Sequence, residues 1–199
     1  MVTKVVHLEL TIDLTTDAFL NCLKRFIARR GRYRDLYSDN GTNFVGARTE
    51  MQRLQGFFLN ESNQRCISEF ALTEGINWYF IPPHAPHFGG LWENSVKSAK
   101  RHLLRVIGET RLTFEELYTV LTQIEGCMNS RPLYPMPTDP SDLNPLTPGH
   151  FLTGGPLTDI SYPEVTDVKV NRLSRFQFLQ AMYQHFWKRW QHEYLHHLQ

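Results

Sequence analysis

Long apolar runs are missing from this chain: nowhere do about eighteen apolar residues follow one another, as a membrane-spanning helix would need. No membrane span is expected. The first apolar stretch is interrupted by His7 and Glu9 and lacks the basic-then-apolar layout of a signal peptide, so none is expected. Cysteine is scarce. Cys22, Cys66 and Cys127 are isolated and odd in number, and their spacing offers neither a disulfide framework nor a zinc site. A reducing compartment is expected. Charge of one sign is not in excess: 21 Lys and Arg face 20 Asp and Glu, a formal net charge of +1. That balance argues against a nucleic-acid binder that is basic throughout. No internal repeat is visible. What remains, 41% hydrophobic and 21% charged residues over 199 positions, describes a soluble globular chain of one domain, or of one and part of another.

The basic residues are unevenly placed. Lys24, Arg25, Arg29, Arg30, Arg32 and Arg34 follow one another with no acidic residue between them. A second cluster holds Lys97, Lys100, Arg101, His102 and Arg105. A solvated face is the ordinary reading of such clusters, and it is kept for the first. The second lies just beyond Glu93, a candidate metal carboxylate, and there a nucleic-acid role is favoured.

Periodicity gives a mixed α/β order. Residues 2–10 alternate enough to read as a strand, with Val6, Leu8 and Leu10 opposed to His7 and Glu9. Thr15-Thr16-Asp17 caps a helix whose buried stripe is Phe19, Leu23, Phe26 and Ile27, ending at Gly31. Short strands are expected at 36–38 and 77–81, with helices over 46–58 and about 62–74 between them. A helix from about 91 to 107 buries Trp92, Val96, Ala99, Leu103 and Val106 at spacings of three and four. Thr113-Phe114-Glu115-Glu116 is a capping box, opening a helix with Leu117, Leu121, Ile124 and Met128 inward. Eight of the eleven prolines fall between 132 and 163, which reads as an extended linker. A last helix, from about 171 to 198, carries Phe176, Leu179, Tyr183, Phe186, Trp187, Trp190 and Tyr194, a stripe for core packing or for a partner.

Two segments stand out chemically: Tyr37-Ser38-Asp39-Asn40-Gly41-Thr42-Asn43-Phe44 and His87-Phe88-Gly89-Gly90-Leu91-Trp92-Glu93-Asn94. Each sets one carboxylate where a strand gives way to a loop or helix, and hard oxygen ligands so presented suit a divalent cation. Asp39 in a merely structural Asp-Asn-Gly turn is the plain alternative. Together with Val6-His7-Leu8-Glu9-Leu10, Arg25-Phe26-Ile27-Ala28-Arg29-Arg30-Gly31, Ile81-Pro82-Pro83 and Asn129-Ser130-Arg131-Pro132-Leu133, these segments make an ordered set of six. The set resembles the integrase of retroelements, most closely the Bel/Pao type of long-terminal-repeat retrotransposon, over residues 2 to 157. Leu146 to Gly154 and Phe186-Trp187-Lys188-Arg189-Trp190 resemble a poorly understood domain that follows the integrase core in Bel/Pao polyproteins.

The resemblance implies a ribonuclease H-like core of retroviral integrase type over residues 1–135. It lacks the first strands of that fold. Residues 136–199 then hold the Pro-rich linker and the start of the following domain, with the C-terminal helix. It implies DNA integration by a two-metal strand transferase or endonuclease using Mg²⁺ (or Mn²⁺). Asp39 matches the family's second aspartate and Glu93 its glutamate, as catalytic and metal-binding residues. Lys97, Lys100, Arg101, His87 and Asn43 are the implied nucleic-acid contacts. DNA, both element ends and target, is the implied partner, with a homo-oligomer in the full-length family. The site of action would be the nucleus, reached from the cytoplasm.

The family's first aspartate has no match here, since Asp13 follows the strand instead of lying on it. The chain is therefore expected to be an N-terminally truncated fragment, inactive alone. Residues 2–10, an edge strand robbed of its neighbours, are expected to be displaced or paired abnormally. Two further readings stay open: a nucleic-acid-binding module without catalysis, and a protein-interaction remnant using the aromatic C-terminal helix. Among other candidates, His84 and His87 flank Pro86 and could touch DNA or metal, with solvated loop histidines the plainer reading; His192, His196 and His197 have helical spacing for a metal pair, but no carboxylate or cysteine completes it and they read as solvated.

Overall fold

The computed structural model describes residues 3–13, 15–38, 61–62, 65–66, 76–80, 86–134, 145–157 and 160–198. Its elements, in chain order, are α1 (Thr16–Arg30), β1 (Asp35–Ser38), β2 (Asn77–Phe80), α2 (Pro86–Ile107), α3 (Phe114–Asn129), α4 (His150–Thr153) and α5 (Arg175–Leu198), with a 3₁₀ turn at Val170–Arg172 before α5. Two compact units result, Glu9–Leu91 and Met1–Leu8 with Trp92–Gln199.

In the first unit, the hydroxyl of Thr15 accepts the Ala18 N–H at 3.2 Å and caps α1. The helix stops at Gly31, whose φ of 82° only glycine adopts freely. Leu23 is the buried centre of its stripe, and Phe26 meets the Tyr33 ring at 5.3 Å. The basic end of α1 is partly neutralised. Glu9 accepts from Arg25 at 2.9 Å and from Arg29 at 2.5 Å. β1 and β2 pair in parallel, Asp35 opposite Asn77 through Ser38 opposite Phe80. Tyr37 and Tyr79 stack across that pair with centroids 5.0 Å apart. The expected helix at 46–58 lies outside the described residues; of the one at 62–74, only 62, 65 and 66 are described, and they are helical.

The second unit is built on α3 and α5. Thr113 and Glu116 form the capping box reciprocally, Thr113 N–H donating to Glu116 Oε2 at 2.8 Å. Glu116 also receives the Arg175 fork at 2.6 and 2.7 Å, fastening the start of α5. The Arg175 hydrogen bonds, then the Thr113 N–H, hold the Glu116 carboxyl down at about 2. The core contains Val6, Ala99, Val120, Ile124, Cys127, Met128, Phe186 and Trp190. Its α3 stripe therefore centres on Val120, Ile124 and Cys127; the expected Leu117 and Leu121 are only half-buried. On α5, Phe186 and Trp190 are buried, while Phe176 and Trp187, expected in the stripe, face solvent. The helix turns one side to α3, and those two rings lie off that side.

Two sequence expectations need correction. Residues 3–10 form no strand, and Val6 to Leu8 are hydrogen-bonded to α3 instead. Val6 N–H donates to Asn129 Oδ1 and Asn129 Nδ2 donates to the Val6 carbonyl, both at 2.8 Å, while Leu8 N–H donates to Glu125 Oε2 at 2.8 Å. Polar side chains of a helix thus take the backbone groups that a neighbouring strand would have taken. Nor is the proline-rich stretch extended throughout. Leu133 N–H donates to Leu146 O, Gly149 N–H to Asn129 O, and Pro148 and Gly149 are buried at the end of α3. Space there demands glycine: a Cβ on Gly149 would lie 2.8 Å from Leu157 Cγ and 3.2 Å from the Asn129 carbonyl. Residues on both sides of position 135 share this unit.

Phe186 sets the stability of the unit, with no exposed surface, whereas Phe176 is 63% exposed. Phe186→Ala is expected to cost about 3–5 kcal/mol and Phe176→Ala about 1 kcal/mol or less, measured by urea unfolding. Equal losses would show that the core lies elsewhere.

Candidate nucleic-acid interface

At 100° per residue, positions 93, 97, 100, 101, 104 and 105 share one side of α2. Lys97, Lys100, Arg101, Leu104 and Arg105 are all exposed there, whereas Ala99 and His102 on the other side are buried. Leu103 and Val106 pack against the core. The helix is thus held by one face and offers four cationic side chains from the other. Val96, expected inward, is 38% exposed and sits at the margin of the two faces.

The cations are not equivalent. Arg101 donates to Glu193 of α5, and His102 Nε2 lies 2.9 Å from the same Oε2 atom. An ionised carboxylate only accepts, so the proton of the neutral ring belongs on Nε2. Nδ1 is then a bare acceptor, buried without a hydrogen-bond partner among the described residues. The ring meets Phe186 edge-on at 6.0 Å. Burial lowers the His102 pKa, Glu193 opposes that shift, and Arg101 and Arg105 add to it. Glu193 therefore fixes Arg101 in place and takes up part of its charge. Lys97 and Lys100 are exposed and take part in no ion pair among the described residues.

The sequence-predicted residues divide accordingly. Lys97, Lys100 and Arg101 are brought together on one exposed face. Glu93 and His87 lie on the α2 backbone, and their side chains are outside what is described. Asp39 and Asn43 lie outside the described residues altogether. Among the described residues, no group of three His, Cys, Asp or Glu side chains could hold a metal ion. The fit of Mg²⁺ thus turns on Asp39 and Glu93, neither of whose side chains is described. Sequence reasoning missed Glu193, which is 91 positions from His102 and carries no local signal.

A family of unknown function, DUF5641, matches residues 174–199. That family is often found in retroelement-related proteins. The matched stretch is α5 with its preceding Ser174, and it includes Phe186 to Trp190 and Glu193. No curated protein matches the chain. Among the described residues no helix is long and apolar enough to cross a membrane.

Because the folded pKa of His102 lies below the unfolded one, the unfolded chain takes up the proton first. Its contribution to stability is complete above about pH 6.5 and is lost as pH falls through the folded pKa. Urea unfolding between about pH 5 and 7 should show His102→Gln losing less stability on acidification than the unmodified chain. Parallel profiles would remove His102 from the pH response.

Proposed function

We propose that this chain is part of a retroelement integrase of the Bel/Pao type, a transposable-element protein acting in DNA integration. In this reading α2 is a DNA-binding helix, and Asp39 and Glu93 are carboxylates of a metal-dependent polynucleotidyl transfer on a ribonuclease H-like core. The observation that carries the proposal is the solvent-facing pair Lys97 and Lys100, one and two helical turns beyond Glu93. Cations at that spacing meet successive phosphates, and phosphate neutralisation supplies most of non-specific DNA affinity. The match over residues 174–199 supports the retroelement part.

Mg²⁺ or Mn²⁺ held by such carboxylates supplies Lewis acidity and alignment to phosphodiester chemistry. The protein side of the work would be the positioning of DNA by α2. Within these residues the resemblance supplies two carboxylates of three, so binding is the appropriate readout. Element ends and target DNA are the proposed partners of a homo-oligomer acting in the nucleus after passage through the cytoplasm. A binding module without catalysis would use the same face of α2. An interaction role for the aromatic helix is less favoured, because α5 spends Phe186 and Trp190 on its own core.

Lys97→Ala combined with Lys100→Ala should weaken duplex DNA binding by about tenfold or more at ~0.1 M salt and lower the log–log salt slope by up to about two. An unchanged slope would return this cluster to a solvated face. The carboxylates are tested separately. Mn²⁺ should bind the unmodified chain more tightly than Asp39→Asn, and equal binding would take Asp39 out of the site.

A further inference from the structure

We infer that Glu193 is an electrostatic brake on the cationic face of α2, holding the Arg101 guanidinium away from DNA phosphate. The inference rests on the DNA-binding reading of α2. It gives a role in that binding to α5, the helix matched by a family of unknown function. Of the four cations on the face, Lys97, Lys100 and Arg105 take part in no ion pair among the described residues. Arg101 is paired with Glu193, 92 positions away.

An exposed ion pair is ordinarily weak, because either side chain can swing into water. Glu193 is anchored on one side. His102 Nε2 lies 2.9 Å from the same Oε2 atom that Arg101 reaches, and the His102 side chain is only 4% exposed. The imidazole is itself seated edge-on against the fully buried Phe186 ring. A histidine fixed in the core thus keeps the carboxylate where Arg101 meets it.

The pair is nevertheless open to a ligand, with the Arg101 side chain 46% exposed and that of Glu193 31% exposed. A phosphate that took Arg101 would break a charge-assisted hydrogen bond. It would also leave a bare carboxylate, still bound to His102, facing a polyanion. Both effects oppose the exchange. Kept together, the two side chains carry no net charge and release few counterions when DNA approaches. Glu193 therefore lowers sequence-independent affinity by about one cation's share and leaves Lys97 and Lys100 untouched.

The test uses the full chain and a duplex of arbitrary sequence, read by fluorescence anisotropy over a range of salt. Glu193→Gln drops the charge but keeps an oxygen that accepts from His102, and urea unfolding checks that it is folded. This variant should bind about three- to tenfold tighter at ~0.1 M salt, with a log–log slope steeper by about one. Adding Arg101→Ala should cancel the gain. Glu115→Gln, the same change of net charge at an exposed site on α3, should give none. In the unmodified chain, side-chain NMR should show DNA moving the Lys97 and Lys100 ammonium signals and leaving the Arg101 guanidinium as it was. Equal slopes for Glu193→Gln and the unmodified chain, a gain that survives Arg101→Ala, the same gain from Glu115→Gln, or an Arg101 signal that moves with the lysines would each overturn the brake and leave the DNA-binding reading standing. DNA binding indifferent to Lys97 and Lys100 would overturn that reading, and the brake with it.

Discussion

Phe186 is the contact on which the second unit depends. It lies between α3 and α5 with no exposed surface, and the buried edge of α2 meets it through His102. Seating His102 there decides the orientation of α2. Once Ala99 and His102 point inward, helical geometry leaves Lys97, Lys100, Arg101 and Arg105 no direction but outward. An apolar ring on one helix thus determines where the cations of another are displayed. The cationic face is a consequence of core packing rather than of its own charges.

Electrostatics then divides that display. Glu193 sits close enough to bind both Arg101 and His102, and its charge is consumed by neighbours on the buried margin of the face. Arg101 serves as a strut between α2 and α5, while Lys97 and Lys100 stand exposed on the same face. A partly exposed ion pair contributes little stability by itself. Its value here lies in geometry, since it holds the guanidinium in one place and limits the rotation of α2 on α5.

Much of the helical order was legible in sequence because its signals are local. The Thr113–Glu116 capping box, the Thr15 cap and the stop at Gly31 all depend on residues within a turn, and each occurs as expected. Residues 2–10 were harder. Their alternation placed Val6 inward, as it is, but suggested a strand that does not form, because it could not say what would satisfy the N–H and carbonyl groups. That depended on Asn129 and Glu125, over a hundred positions away. Phe176 and Trp187 failed for a related reason: an aromatic stripe fixes one side of a helix only to within the width of its partner. Of the candidate site, the lysines were legible from helical spacing. Glu193 was not, because an acidic residue on a helix face looks alike whether it meets water or an arginine.

The Asn129-Ser130-Arg131-Pro132-Leu133 segment shows how a motif can be recognisable without disclosing its work. Its first three residues are polar, and polar residues in an ordered set invite a chemical role. In place, Asn129 and Arg131 are buried and spend their hydrogen bonds on backbone: Asn129 on Val6, Arg131 on the carbonyls of Met128 and Lys4. Pro132 adds a carbonyl for the Tyr194 hydroxyl at 2.6 Å. Together these bonds tie the end of α3 to residues 4–6 and, through Pro132, to Tyr194 of α5. A buried carboxamide or guanidinium is tolerated only when its donors and acceptors are matched, so a residue type that looks reactive in sequence becomes, once desolvated, a demand for particular neighbours. No such demand is made of Lys97 and Lys100, which are exposed on α2.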